Sequence, residues 1–176
     1  MKLLITNLYN LFNMGEVYHI MAIRQAFPNA EIAIDGLYSI CNESVCEKLR
    51  LNWIGDKKQS NMVVIFAGLF RRMVKPFDCD LVIDLGGDTF SEKPQIRYAV
   101  AHALVLLPYA IRNRKYVVIS QSIGELKATK LLSKYVLRKA HSVVVRDVKS
   151  WHNLYRIGIK SRVAQDLAYG VFYDRY

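Results

Sequence analysis

Asp80-Leu-Val-Ile-Asp-Leu-Gly-Gly-Asp-Thr-Phe-Ser-Glu92 is the segment on which the reading of this chain turns. Leu81, Val82 and Ile83 form a short apolar run of the kind found in a strand covered on both faces. Gly86 and Gly87 end that run. A paired glycine turns the chain sharply and lets a ligand approach main-chain N–H groups with no Cβ in the way. Asp88 and Ser91 follow where a helix should begin, and Asp, Thr and Ser all suit a helix N-cap. The segment is therefore a strand-to-helix loop, and the neighbouring loops decide whether it is also a site.

Working outward, residues 2–6 read as a first strand, followed by an Asn- and Tyr-rich loop. A helix opens at Met14-Gly-Glu16 and runs to about residue 27, with Val17, Ile20 and Met21 on its apolar face. Residues 31–35 form a second strand closed by Gly36. Residues 37–60 carry the weakest pattern, with a short helix expected at 42–49, Asn42 as its cap, and a turn at Gly55-Asp56. A helix is expected at 61–74, although Met62 to Phe66 fits a strand equally well by periodicity. Beyond the glycine loop, a helix is expected at 94–113, with Pro94 in its first turn and Pro108 kinking or shortening it. Then come a strand at 116–120, a basic helix at 128–140, a strand at 142–146, a helix at 147–157 and a last strand at 161–165.

This alternation predicts an α/β fold, a Rossmann-like doubly wound parallel sheet forming one domain over residues 1–176. In such sheets ligands bind beyond the carboxyl ends of the strands. The polar or glycine-bearing loops at 13–16, 86–91, 121–124 and 146–150 all fall on that edge.

The composition, 52% hydrophobic and 23% charged, is that of a globular protein. No apolar run reaches the roughly 18 residues of a membrane span. The first residues are too short an apolar run for a signal peptide, so a cytoplasmic location is expected. Cys41, Cys46 and Cys79 are odd in number and lack CxxC spacing, which predicts reduced, unligated thiols. Charge is uneven: residues 1–96 hold 10 Lys/Arg against 11 Asp/Glu, and residues 97–176 hold 15 against 4. A basic half suits polyanions, an anionic membrane face or phosphorylated substrates. Its cations are scattered along helices rather than massed in one run, which argues against nucleic acid and leaves peripheral contact with an anionic membrane open.

No GxGxxG, P-loop or HExxH is present, so no nucleotide cofactor and no metal is expected. His19, His102, His141 and His152 lie far apart and read as packing or surface residues. Val145-Arg-Asp-Val-Lys-Ser150 carries more. Arg146 leaves a strand, Asp147 caps the next helix and Ser150 completes the cap. An arginine beside a helix N-terminus makes an anion site, and an Arg–Asp surface pair beside an ordinary cap is the plainer alternative.

Asn13-Met-Gly-Glu16, the Asp80–Asp88 run, Gln121-Ser-Ile-Gly124, Val145-Arg-Asp147 with Ser150, and Asp166-Leu-Ala168 together resemble the polysaccharide pyruvyl transferase family in order and spacing. The resemblance implies a glycosyltransferase-B-like enzyme of two Rossmann-like domains. Such an enzyme moves pyruvate from phosphoenolpyruvate to a sugar or nucleotide-sugar acceptor, as a ketal in cell-surface glycan synthesis. It covers the first domain, with acceptor-binding groups expected from a second domain or a partner subunit, and it extends the expected location to the inner face of the membrane. Asp88 departs from the third small residue of many relatives. On this reading Arg146 and the Gly86-Gly87 backbone bind phosphoenolpyruvate, while Asp88 and Glu16 do acid–base work or hold a sugar hydroxyl. Asn13, Gly15, Gln121, Ser122, Gly124 and Ser150 complete the substrate-binding set. The competing reading is a non-catalytic Rossmann-like module whose basic half binds a polyanion or a partner chain.

Overall fold

A sheet covered on both faces needs strands that are apolar on both sides, and the central strands meet that demand. The computed structural model describes residues 1–37, 40–55, 62–87, 90, 92 and 96–173. Its elements run β1 (Lys2–Thr6), α1 (Met14–Ala26), β2 (Glu31–Asp35), α2 (Glu43–Lys48), β3 (Leu51–Ile54), α3 (Met62–Val74), β4 (Leu81–Leu85), α4 (Ile96–Ile111), β5 (Tyr116–Gln121), α5 (Lys130–Lys139), β6 (Ser142–Val145), α6 (Val148–Arg156), β7 (Arg162–Val163) and α7 (Leu167–Tyr173). All pairings are parallel, in the order β3-β2-β1-β4-β5-β6-β7. The chain winds outward from β1 to β3, then crosses to β4 and winds the other way. The switch point therefore lies between β1 and β4, where Leu3 pairs with Leu81 and Thr6 with Asp84.

Side chains alternate across each strand and feed two cores. Leu3, Ile5, Ile83 and Leu85 join Ile20 and Ile23 of α1 and Ile32 and Ile34 of β2. Leu4 and Val82 face the other way, into a cluster with Tyr109 of α4, Val136 of α5 and Leu154 of α6. α3 is pinned to β2 by a buried ion pair. Arg72 donates from Nε to Asp35 Oδ2 at 2.8 Å and from Nη2 to Oδ1, with its guanidinium 5.2 Å from the Phe77 ring centroid.

Several expectations need correction. β3 was not anticipated, because a four-residue edge strand offers too little alternation to read. It is held in part by Trp53, which lies over Gly36, where a Cβ would stand 2.5 Å from the indole nitrogen. Residues 62–74 are helical, so the strand reading of Met62 to Phe66 fails. α4 runs through Pro108 to Ile111, two residues short of the expected end at 113. Pro94 lies outside the described residues. β5 runs one residue further than expected, through a register shift at Ser120, whose φ of 59° is left-handed. The last strand is only two residues long, and α7 follows it unexpectedly and packs against α1. The caps at Asn42 and Asp147 form as read, and Gly158 closes α6 with φ 73°. No helix among the described residues is long and apolar enough to cross a membrane.

Candidate functional site

The floor of the switch point is polar. Asp84, fully buried near the end of β4, accepts from Thr6 Oγ1 at 3.1 Å, Asn7 Nδ2 at 2.5 Å and Gln121 Nε2 at 2.6 Å. The ends of β1 and β5, the two neighbours of β4, thus place polar side chains on its one carboxylate. Burial pushes its pKa up to about 6, although the bonds from Gln121, Asn7 and Thr6 pull the other way. Gln121, expected to touch substrate, is instead fully buried and turned to Asp84.

One wall is built around Arg146. Its Nε donates to Ser122 Oγ at 2.7 Å and its Nη1 to Asp166 Oδ2 at 3.2 Å. Ser122 Oγ in turn donates to Asp147 Oδ2 at 2.7 Å. Asp147 caps α6 by accepting from the Ser150 amide at 2.7 Å, and Ser150 Oγ accepts from the Ile123 amide at 2.7 Å. Burial opposes ionisation of Asp147, but the Ser150 amide and the Ser122 and Ser150 hydroxyls hold its pKa below the ordinary value. The Arg146 side chain is 31% exposed, so a solute can reach it.

Asp166, just after β7, is the hub. His19 Nε2 lies 2.5 Å from Oδ1, which also accepts from Ser120 Oγ at 2.9 Å and the Ala168 amide at 3.0 Å. Burial again opposes ionisation, yet these donors, His19 foremost, bring its pKa down to about 2. An ionised carboxylate only accepts, so Nε2 of His19 carries the proton. His19 Nδ1 is buried and has no partner among the described residues. Ser120 Oγ also accepts from the Leu167 amide at 2.8 Å, which fastens the start of α7 to the bulge in β5.

The glycine loop runs alongside this wall. Gly87 O accepts from the Ser122 amide at 2.8 Å, and Phe90 O accepts from the Gly124 amide at 3.0 Å. Two loops beyond the sheet are thereby zipped together. A Cβ on Gly87 would stand 3.9 Å from Arg146 Nη2, so the glycine backbone and the guanidinium are neighbours. Glu92 fixes the far end: its Oε1 accepts from the Lys127 and Thr129 amides and from Thr129 Oγ1, each at 2.8 Å.

Arg146, Ser122, Ser150, Gly86, Gly87 and Gly124 therefore lie along one run of loops. Asp88 lies outside the described residues. Asn13 caps α1, its Oδ1 accepting from the Gly15 amide at 3.0 Å. Glu16, expected to do acid–base work or to hold a sugar hydroxyl, is engaged with the loop before α1. It is buried, and its Oε2 accepts from the Tyr9 and Asn10 amides at 2.7 and 3.0 Å. Burial raises its pKa despite those two bonds. His19, read as a packing or surface histidine, joins the Asp166 network. The sequence reading missed Asp84, Asp166 and His19 as site residues. The legible signal was that two of them are carboxylates at strand ends. Among the described residues, no group of three or more His, Cys, Asp or Glu is placed to hold a metal.

Comparison with solved structures agrees with this architecture. UDP-GlcNAc 2-epimerase from Neisseria meningitidis, bound to UDP-GlcNAc, superposes with a TM-score of 0.59 at 12% identity, over 99% of this chain and 49% of that one. Anabaena Alr3699/HepE in complex with UDP gives 0.54 at 12% identity, over 94% and 44%. The chain thus spans less than half the length of either protein, and at such identity the likeness is one of fold. No curated protein matches the sequence. The model of the polysaccharide pyruvyl transferase family, however, matches residues 20–175, a span that leaves out Thr6, Asn7, the α1 entry loop and His19. With the Rossmann-like sheet and the loops on its carboxyl edge, that match over most of the length makes this chain a member of the polysaccharide pyruvyl transferase family.

Proposed function

We propose that this domain forms the phosphoenolpyruvate-binding wall of a pyruvyl transferase, with Arg146 as its anion anchor. The observation that carries this reading is the setting of Arg146. Its Nε and Nη1 are held by Ser122 and Asp166, and its Nη2 lies beside the Gly87 backbone on the carboxyl edge of the sheet. A guanidinium fixed at two points loses little freedom when it meets a carboxylate or phosphate, and a glycine opposite leaves room for the ligand.

Ketal formation needs a proton delivered to C3 of the enol, which leaves a cation at C2. One sugar hydroxyl adds to C2 and loses its proton. The C2–O bond to phosphate breaks with the electron pair going to phosphate, and the second hydroxyl then adds and loses its proton. Of the two protons released, one balances that taken up at C3 and the other goes to phosphate. Arg146 would hold the anionic end throughout. Asp88, at the mouth of the glycine loop in sequence, is the carboxylate we assign to proton transfer or to a sugar hydroxyl. The acceptor class to test first is a sugar linked to a nucleotide, since similar folds are solved with UDP or UDP-GlcNAc. Acceptor-binding groups would come from a second domain or partner subunit.

The test is calorimetric titration of phosphoenolpyruvate into the wild type and Arg146→Ala, with circular dichroism to verify the fold. Loss of a charge-assisted bond should weaken binding at least about tenfold. Equal binding by the two proteins overturns the assignment.

A further inference from the structure

We infer that the outer face of α5 is a docking surface for an anionic lipid bilayer. Lys130, Lys134 and Arg138 recur at four-residue spacing and form one row along the helix. Lys127, three residues upstream, extends that row. Leu131 and Tyr135, also four apart, form a second row beside it. The orientation is fixed because Ser133, Val136 and Leu137 are buried on the opposite face. Leu131 is 85% exposed, more than any other large hydrophobic among the described residues, and Tyr135 is 41% exposed.

Among the described residues the cations have few acidic neighbours, and Glu92, which accepts from the Lys127 and Thr129 amides, lies only at the start of the helix. α5 contains no acidic residue, and within residues 126–165 the only one is Asp147, which is engaged in capping α6 and accepting from Ser122. Lys130, Lys134 and Arg138 form no ion pair among the described residues, and Lys127 meets only the equally exposed Glu125, at 3.5 Å. The patch continues onto the end of α6. A Cβ on Gly158 would stand 3.5 Å from Arg138 Nη2, and the adjoining Tyr155 is 67% exposed.

Lysine stems lie along a bilayer with their ammonium groups among anionic headgroups. Leu enters the acyl boundary, and Tyr sits at headgroup level. A nucleic-acid backbone would satisfy the cations but would bury nothing of Leu131, which is why the bilayer is the occupant inferred. Because α5 follows β5, its first turn lies on the carboxyl edge of the sheet. The docked face would thus hold the Arg146 side of the molecule near the membrane surface. This inference does not depend on the activity proposed above.

Co-sedimentation of the full chain with vesicles tests it, using phosphatidylcholine alone and phosphatidylcholine mixed with phosphatidylglycerol. Binding is expected only to the mixed vesicles. Lys130→Glu with Lys134→Glu should lower it by at least about fivefold per cation removed. The same charge change at Lys48 and Lys75, away from α5, should leave most of the binding. Leu131→Ser should weaken it roughly tenfold, and Leu131→Trp should show a blue-shifted emission when vesicles are added. The inference is overturned if mixed vesicles are not bound, if the Lys48/Lys75 pair matters as much as the α5 pair, or if Leu131→Ser changes nothing. An oligonucleotide bound as tightly as the vesicles, and unaffected by Leu131→Ser, would assign the face to nucleic acid instead.

Discussion

Asp166 shows how one carboxylate can order a site made from distant parts of the chain. It gathers His19 of α1, Ser120 of β5, Arg146 after β6 and the amide of Ala168 at the start of α7. Its folded pKa of about 2 lies below the ordinary Asp value, so its stabilising contribution is present above about pH 4 and is lost as pH falls towards 2. Asp166→Asn should therefore cost roughly 2 kcal/mol at neutral pH, shrinking in acid. Urea denaturation at both pH values measures this, and a cost unchanged in acid would contradict the linkage. Asp84 has the opposite sign. Its folded pKa of about 6 is raised, so the folded state holds the extra proton and stability falls as pH rises from about 4 through 6. Asp84→Asn should flatten that limb of the stability profile, by an amount on the order of 2 kcal/mol. An unchanged slope would mean that another group titrates there.

At the scale of elements, the sequence signals were clearest where a single residue ends or starts a helix. Asn42, Asp147 and Gly158 could be read because a cap is a local transaction between a side chain and amides two or three positions away. α5 shows the limit of that logic. Its N-cap residue Thr129 makes no side-chain cap, and the carboxylate serving that end is Glu92, from the glycine loop. No window of sequence around residue 129 contains that information. α3 is likewise fixed from afar, by Arg72 against Asp35 on β2. Burial raises the Asp35 pKa despite its partner, so removing the arginine strands a buried charge. Arg72→Leu should cost about 3–5 kcal/mol. Adding Asp35→Leu should recover most of the loss, and a double variant no more stable than the single would show that the pair is needed for more than neutralising charge.

For the molecule as a whole, stability should be graded across the sheet. β1, β4 and β5 lie between two cores, whereas β3 and β7 are edges of four and two residues. Native-state hydrogen exchange should find the slowest amides in the three central strands and the fastest in β3 and β7. Slow exchange in β7 would indicate that the Asp166 network locks that edge more firmly than its length suggests.

The sequence by itself determined the fold class, and it singled out the carboxyl edge, Arg146 and the glycine pair as candidates for the site. These follow from periodicity and turn chemistry, which act over a few residues. The tertiary structure alone decided what several other polar side chains do. It turned Gln121 inward to Asp84, committed Glu16 to two loop amides, and drew His19 into a network with residue 166. Such pairings span from 6 residues for Glu16 to 147 for His19, and it is burial, which imposes the need for a hydrogen-bond partner, that selects among them. For the Asp80–Glu92 segment the division is plain: its turn was legible, and its place beside Arg146 was not.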